Sequence, residues 1–290
     1  MNRTIEEQRQ PSAQVRVTDN LSELPWWLLI IGLGALLLVY SFYTDQTYRE
    51  IFAFIREGLI ITIRVTLIAY AFSITIGLLA GLGRVSKNPV IYNVATVYVQ
   101  IMRGLPILVT LLYVAFVIVP LGVALINNLG TFFAERNFLA PDNILVRLGN
   151  RRAGLEISFE VRAIIALAIS YGAFSAEIFR AGIESIGRGQ MEAARSLGMN
   201  YFEAMRHIIL PQAVRRVLPP LGNDFIAMLK DSSLVSALGV RDITQLGRLY
   251  TNTSFLYLKT YNVVAFMYLC MTILLSLGVK ALEKRFKTSG

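Results

Sequence analysis

Ionisable side chains, among them Arg64, Glu177, Arg180, Asp224, Lys230 and Asp231, stand inside long, mostly apolar stretches. An ionisable group at bilayer depth is costly, so such residues face a cavity, a partner or one another. Their chemistry is ion pairing or the polar lining of a solute path. Covalent catalysis has little to draw on, because His207 is the only histidine and Cys270 the only cysteine. A multi-histidine zinc site, a cysteine metal site and an intrachain disulfide are excluded by counting. A membrane-embedded enzyme would need a cluster of nucleophile, base or metal ligands, and none is visible. No Gly-Lys-Ser or Gly-Lys-Thr triplet occurs, so the chain has no phosphate-binding loop of the Walker type.

The elements that carry these charges follow from composition. Of 290 residues, 55% are hydrophobic and 16% charged, against about a quarter charged in soluble domains. A helix needs roughly 20 mostly apolar residues to cross the hydrocarbon core. Six stretches meet that requirement: 25–43, 58–83, 106–126, 161–182, 217–238 and 260–280. They are long and do not alternate, which points to helices rather than barrel strands. The fold class expected is an all-α polytopic membrane protein. A shorter apolar segment, Val90 to Met102, reads as an interfacial or half-buried helix, with Tyr92 and Tyr98 suited to the headgroup region. Residues 25–43 exceed the apolar core of a signal peptide and lack an Ala-x-Ala site, which predicts an uncleaved anchor.

Six spans put both termini and residues 84–105 and 183–216 on one side. That side holds fourteen Lys and Arg, including Arg188, Arg195, Arg206, Arg215 and Arg216. The other holds nine, among them Arg136, Arg147, Arg151 and Arg152. The richer side is expected to be cytoplasmic. The net charge of +9 is then topological and requires no nucleic acid.

Segment 183–216 is a polar interruption between two apolar spans. Residues 189–197 favour a helix that Gly198 ends in a left-handed cap. Asn200 and Glu203 have capping-box spacing for a second helix, and Pro211 is expected to stop it. Met191, Ala194 and Leu197 recur every three residues as a small nonpolar face. Such a helix–turn–helix lies on the membrane surface or docks into a partner's groove.

Within it, Glu192-Ala193-Ala194, Gly198, Ile208, Leu210 and Pro211 match without a gap the pattern EAA-x3-G-x9-I-x-LP. This resembles the EAA signature of bacterial ABC-transporter permeases. The flanking strings 173–186, 189–198, 210–213, 229–236 and 102–106 resemble the polar amino acid uptake subfamily, the histidine/glutamine/arginine type. The likeness runs from about Thr62 to the C-terminus. It leaves out the first 50 residues and 122–160, and it departs at Leu105 (usually Thr) and Gly187 (usually Pro).

The resemblance implies a type I importer permease fold, with about five core transmembrane helices and one extra N-terminal helix. Residues 1–24 would be a cytoplasmic tail, 25–43 the extra helix and 58–282 the permease domain. The domain would carry a periplasmic insertion at 122–160 and a cytoplasmic coupling loop at 183–216. Glu192, Ala193, Ala194, Gly198, Leu210 and Pro211 would couple this loop to a separate ATPase, with Ala193 and Ala194 keeping the docking face low. The chain would be a non-catalytic subunit of the plasma membrane, with no cofactor of its own; ATP and Mg belong to two partner ATPase subunits. Further partners implied are a second permease, identical or related, and a periplasmic amino acid-binding protein. A stand-alone secondary transporter or channel is the alternative; it would be favoured by inverted repeats, and none is apparent.

In span 217–238, Asn223, Ala227, Lys230 and Leu234 share one helical stripe, with Asp224 and Asp231 on the next. Lys230 and Asp231 offer a donor and an acceptor that an amino acid zwitterion would need. The alternative reading of the same two residues is a structural ion pair that orders the helix. With Asn223, Asp224 and Glu177 they are the candidate substrate-path residues, and Glu177 also has the i,i+3 spacing for an ion pair with Arg180. Gly77 and Gly81 are expected to pack closely against a neighbouring helix.

Overall fold

The computed structural model describes residues 26–135 and 157–287, and all regular structure within them is helical. Expectations for residues 1–24 and for most of insertion 122–160 lie outside the described residues. The chain divides into two units, one ending at Arg49 and one beginning at Glu50. The first unit contains α1, Trp26–Thr44. Apolar side chains surround it on every side, and Leu29, Ile30, Leu33, Leu36, Leu37 and Tyr40 are all exposed. A helix apolar all round suits a lipid environment. Ser41 and Thr44 satisfy their hydroxyls on carbonyls one turn back, those of Leu37 and Tyr40.

Helix α2, Gln46–Ile55, leads into α3, Glu57–Val85. Helix α4, Pro89–Gly104, follows, started by Asn88, whose side chain accepts from the Val90 and Ile91 amides. Pro106 begins α5, Ile107–Tyr113, which passes through a π turn, Val114–Ile118, into α6, Val119–Glu135. Span 106–126 is therefore one continuous helix reaching nine residues further. Ser158 caps α7, Phe159–Glu184. Segment 183–216 supplies α8, Arg188–Ser196, and α9, Tyr201–Ala204. A second π turn, Met205–Ile209, runs into α10, Leu210–Asp231, and a 3-10 segment, Ser232–Leu238. Asp242 caps α11, Ile243–Ser254, and α12, Tyr257–Lys287, closes the described chain.

Among the described residues, four helical stretches are long and apolar enough to span a bilayer: Gln46–Val85, Ile107–Phe133, Phe159–Glu184 and Tyr257–Lys284. They correspond to four of the six expected spans, and α1 is a shorter apolar helix. Segment 217–238 departs from expectation. Its α-helix starts earlier, ends at Asp231, and carries Arg215, Arg216, Asp224, Lys230 and Asp231. That many charges make α10 amphipathic, and it buries its apolar edge against α3, α7 and α12.

The second unit is organised around the parallel pair α3 and α7. Where they meet, a Cβ on Gly77 would stand 2.5 Å from Ser175 Cβ, and one on Gly81 2.8 Å from Phe179 Cβ. The glycine pair thus gives close helix packing, as expected. Around this contact, Val65, Ala69, Leu111, Val114, Ala163, Leu167 and Met228 form a buried core. Helix α4 lies half-buried against both, with Val99 packed on Ala173 and Ala176. Tyr98 corrects the sequence reading: its hydroxyl donates to the Ile169 carbonyl at 2.6 Å. Satisfied inside the protein, it is not an interfacial anchor.

Candidate coupling loop and polar seam

The loop that carries the EAA residues is built by local rules. Gly198 adopts φ +85°, and nothing lies within 4 Å of the place a Cβ would take. The Gly198 amide donates to the Arg195 carbonyl at 2.9 Å and the Met199 amide to the Ala194 carbonyl at 3.2 Å. These two bonds form a Schellman cap, which needs its left-handed residue at this position. Immediately after it, the Asn200 side chain accepts from the Glu203 amide and Glu203 accepts from the Asn200 amide, both at 2.9 Å. The expected capping box is present, so a C-cap and an N-cap share three residues and fix the angle between α8 and α9.

Within that frame the residues divide in two. Glu192, Ala193, Leu210 and Pro211 are exposed. Ala194 is 1% exposed and turned inward. This corrects its placement on a docking face: its small side chain allows α8 to lie close to the rest of the loop, next to the cluster of Ile186, Ile209, Ala213 and Met191. Leu197 likewise leaves the nonpolar face expected of Met191, Ala194 and Leu197, because the helix ends beneath it and exposes 79% of it. Leu197, Tyr201 and Phe202, at or beside the turn, are all exposed. Sequence reasoning missed Tyr201 and Phe202, although two aromatic residues directly after a capping asparagine in a polar loop were a usable signal.

Pro211 does not stop the second helix. Proline removes one amide and drives its ring toward the carbonyl four residues back. Here the turn before it is π, Met205–Ile209, and its wider winding accommodates the ring. The helix consequently runs from Tyr201 to Asp231 without interruption. Gln212 ties it to α8 by donating to the Gln190 side chain at 3.3 Å, and it also donates to the Ile208 carbonyl one turn back at 2.9 Å. Arg216 donates to the Ser185 carbonyl at the end of α7, and Val217 packs onto Gly182. The loop is thus fastened to α7 and α10.

Glu177 sits among three guanidinium groups from three helices. Arg84 of α3 and Arg180 of α7 pair with it directly, and Arg103 of α4 is 3.7 Å away. Arg180 also pairs with Glu184. The expected i,i+3 pair is therefore one part of a five-charge knot holding α3, α4 and α7 together. Its carboxylate is committed to these cations. At the opposite end of α7, Glu160 accepts from Arg64 Nε and Nη2 at 2.8 and 2.7 Å, which gives Arg64 a partner. Arg162, which sequence reasoning missed, donates to the Ile157 carbonyl at 2.9 Å and to the Ala115 carbonyl at 3.1 Å. It also lies 4.9 Å from the Phe159 ring centroid. A cation one residue inside an apolar span was its signal. Ala115 lies in the first π turn, so Arg162 serves a carbonyl where the helical winding changes.

The charges of α10 separate as their stripes predict. Asn223, Ala227 and Lys230 are exposed. Asp224 and Asp231 turn toward α7, where Ser175 donates to Asp224 at 3.0 Å and Tyr171 donates to Asp231 at 2.7 Å. The hydroxyl of Tyr70 on α3 donates to the Leu221 carbonyl at 2.5 Å. The Lys230–Asp231 ion pair does not form, and among the described residues Lys230 makes no ion pair. Adjacent residues on a helix point about 100° apart and do not face each other. The result is a seam of neutral hydroxyls holding two carboxylates, beside an exposed strip headed by an ammonium group.

Beyond the seam, Asp242 begins α11 by accepting from the Thr244 and Gln245 amides, and Tyr268 donates to it at 3.1 Å. Burial pushes its carboxyl above the usual carboxylate range, against the lowering effect of those hydrogen bonds.

A family model for the inner membrane component of binding-protein-dependent transport systems matches residues 73–288. A probable glutamine ABC transporter permease protein of Bacillus subtilis is 34% identical over 238 residues, covering 82% of this chain and 95% of its own length. The glutamine transport system permease protein of Escherichia coli is 32% identical over 231 residues, covering 80% and 92%. Among solved structures, an amino acid ABC transporter crystallised with histidines is 34% identical and covers 84% of this chain and 98% of its own, with a TM-score of 0.64. An inward-facing structure of the MetNI methionine ABC transporter, 18% identical, shares the fold with a TM-score of 0.59. The chain belongs to the family of integral inner membrane components of binding-protein-dependent transport systems, with the type I ABC importer permease fold.

Proposed function

We propose that this chain is the translocation subunit of an ATP-driven importer for polar or charged amino acids. It would work as a dimer with a copy of itself or a related permease. The observation that carries the reading is the single helix from the Gly198 turn to Asp231, which has exposed apolar side chains at one end and the polar strip of Asn223 and Lys230 near the other. A partner ATPase would close on Leu197, Tyr201 and Phe202, with Glu192 offering a charge-assisted hydrogen bond at the rim. ATP and its Mg ion are held by that partner, and this chain performs no chemistry. Its task is a shift in population between outward-open and inward-open states.

In this reading the coupling loop and both termini are cytoplasmic. The far ends of α6 and α7, with α11, then face the periplasm and receive the amino acid-binding protein. A zwitterion entering between two permeases would meet the Lys230 ammonium as a partner for its carboxylate. Asp231, steered by Tyr171, would accept from its ammonium group. The test is co-purification with an ATPase in proteoliposomes. ATP hydrolysis and uptake should both rise when binding protein and amino acid are added together. Uptake driven by an ion gradient without the ATPase would refute the proposal.

A further inference from the structure

An open crevice of about 480 Å³ lies between α3 and α4, lined by Ile76, Leu79, Gly83, Val90, Val94 and Tyr98 among others. The lining is apolar apart from Tyr98, and Tyr98 directs its hydroxyl to the Ile169 carbonyl. Leu79, Val90 and Val94 each remain about two-thirds exposed. From Ile76 to Gly83 the crevice follows α3 for roughly 10 Å, within the 15 Å or so of one leaflet's hydrocarbon. It ends at the turn joining α3 to α4.

Charge marks that end. Lys87 stands in the turn, exposed and without an ion pair among the described residues. Arg84, one turn earlier on α3, belongs to the knot where three guanidinium groups meet two carboxylates, leaving one positive charge in excess. An apolar crevice about 10 Å long, whose two walls are joined by a turn that carries an unanswered cation, has the polarity of a phospholipid. A purely apolar protein surface would cover the crevice and leave Lys87 unmatched.

We propose that this crevice holds an acyl chain of an anionic phospholipid whose phosphate is neutralised by Lys87. The lipid would fill the gap between α3 and α4, and so brace the packing of α4 on α7.

The test is native mass spectrometry of the whole permease–ATPase complex, delipidated in neutral detergent. The probes are phosphatidylglycerol and phosphatidylcholine with identical acyl chains, with inorganic phosphate as competitor. The wild type should retain phosphatidylglycerol at about fivefold lower concentration than phosphatidylcholine, the worth of one lysine at an anionic surface. Lys87→Gln should erase that difference. Val94→Trp, at an exposed position that tolerates a larger side chain, should weaken retention of both lipids by occupying the crevice. Millimolar phosphate should not displace the lipid. Equal retention of the two lipids by the wild type would overturn the proposal, as would retention unchanged in both variants or displacement by phosphate. A Val94→Cys variant that cross-links two permeases in native membranes would assign the crevice to a second copy and overturn it too.

Discussion

Gly198→Val is the substitution whose effect can be worked most directly from the geometry. The backbone there has φ +85°, and no atom lies within 4 Å of an added Cβ. Any penalty is therefore local strain rather than a clash with the rest of the loop. Holding an L-residue in the left-handed region costs about 1–2 kcal/mol, and a β-branched side chain lies at the upper end. The chain can escape by leaving that region, but it then loses the Gly198–Arg195 and Met199–Ala194 hydrogen bonds, at about 1 kcal/mol each. Both routes converge near 1–2 kcal/mol, which lowers the population of the correct turn about five- to thirtyfold relative to its alternatives. In proteoliposomes containing the ATPase and binding protein, uptake per ATP hydrolysed should fall several-fold while the complex still assembles. Asparagine tolerates the left-handed region, so the expected order of coupling is Gly, then Asn, then Ala, then Val. Wild-type stoichiometry in the Val variant would refute the argument. An Asn variant as impaired as Val would show that side-chain bulk, and not backbone conformation, is what the partner senses.

Further outcomes follow from the same contacts. Glu177→Gln leaves Arg84, Arg103 and Arg180 facing one another; discounted for partial exposure, the loss should be about 2 kcal/mol, read as a lower melting temperature of the detergent-solubilised complex. Tyr171→Phe removes the 2.7 Å bond to Asp231, worth about 1–1.5 kcal/mol, and should raise the apparent KM for uptake while ATPase assembly stays normal. Asp231→Asn should alter the uptake profile among amino acids, and an unchanged profile would assign the residue to structure alone. Phe202→Ala should weaken ATPase association in pull-down by about tenfold, as expected when an exposed aromatic anchor is lost.

The loop was legible in the sequence because its geometry is local. A glycine that must be left-handed and an asparagine three residues before a glutamate announce their hydrogen bonds in one dimension. The long apolar spans were legible for the same reason, since the bilayer requires contiguous residues. Pro211 misled because its cost is cancelled by a π turn, and winding is decided by the packing of Ile209 and Ala213. Span 217–238 misled because α10 is only half apolar and relies on α3, α7 and α12 for burial. The partners of Glu177 on other helices were out of reach: Arg84 lies 93 positions away, and no local rule joins them. The separation of Lys230 from Asp231, by contrast, was already implied by helical periodicity.

The uninterrupted course from Tyr201 to Asp231 makes a helical rod about 45 Å long, with a π turn and Pro211, Pro219 and Pro220 along it. A tilt of roughly 5° at its loop end would carry the far end some 4 Å sideways over that length. Such a rod also fixes a phase. Removing one residue between Gln212 and Asn223 would turn Asp224 and Asp231 by about 100° relative to the Gly198 turn, taking both carboxylates away from Ser175 and Tyr171 while leaving every residue type in place. Loss of a single residue between Gln212 and Asn223 should therefore lower uptake in proteoliposomes more than a substitution at the same place.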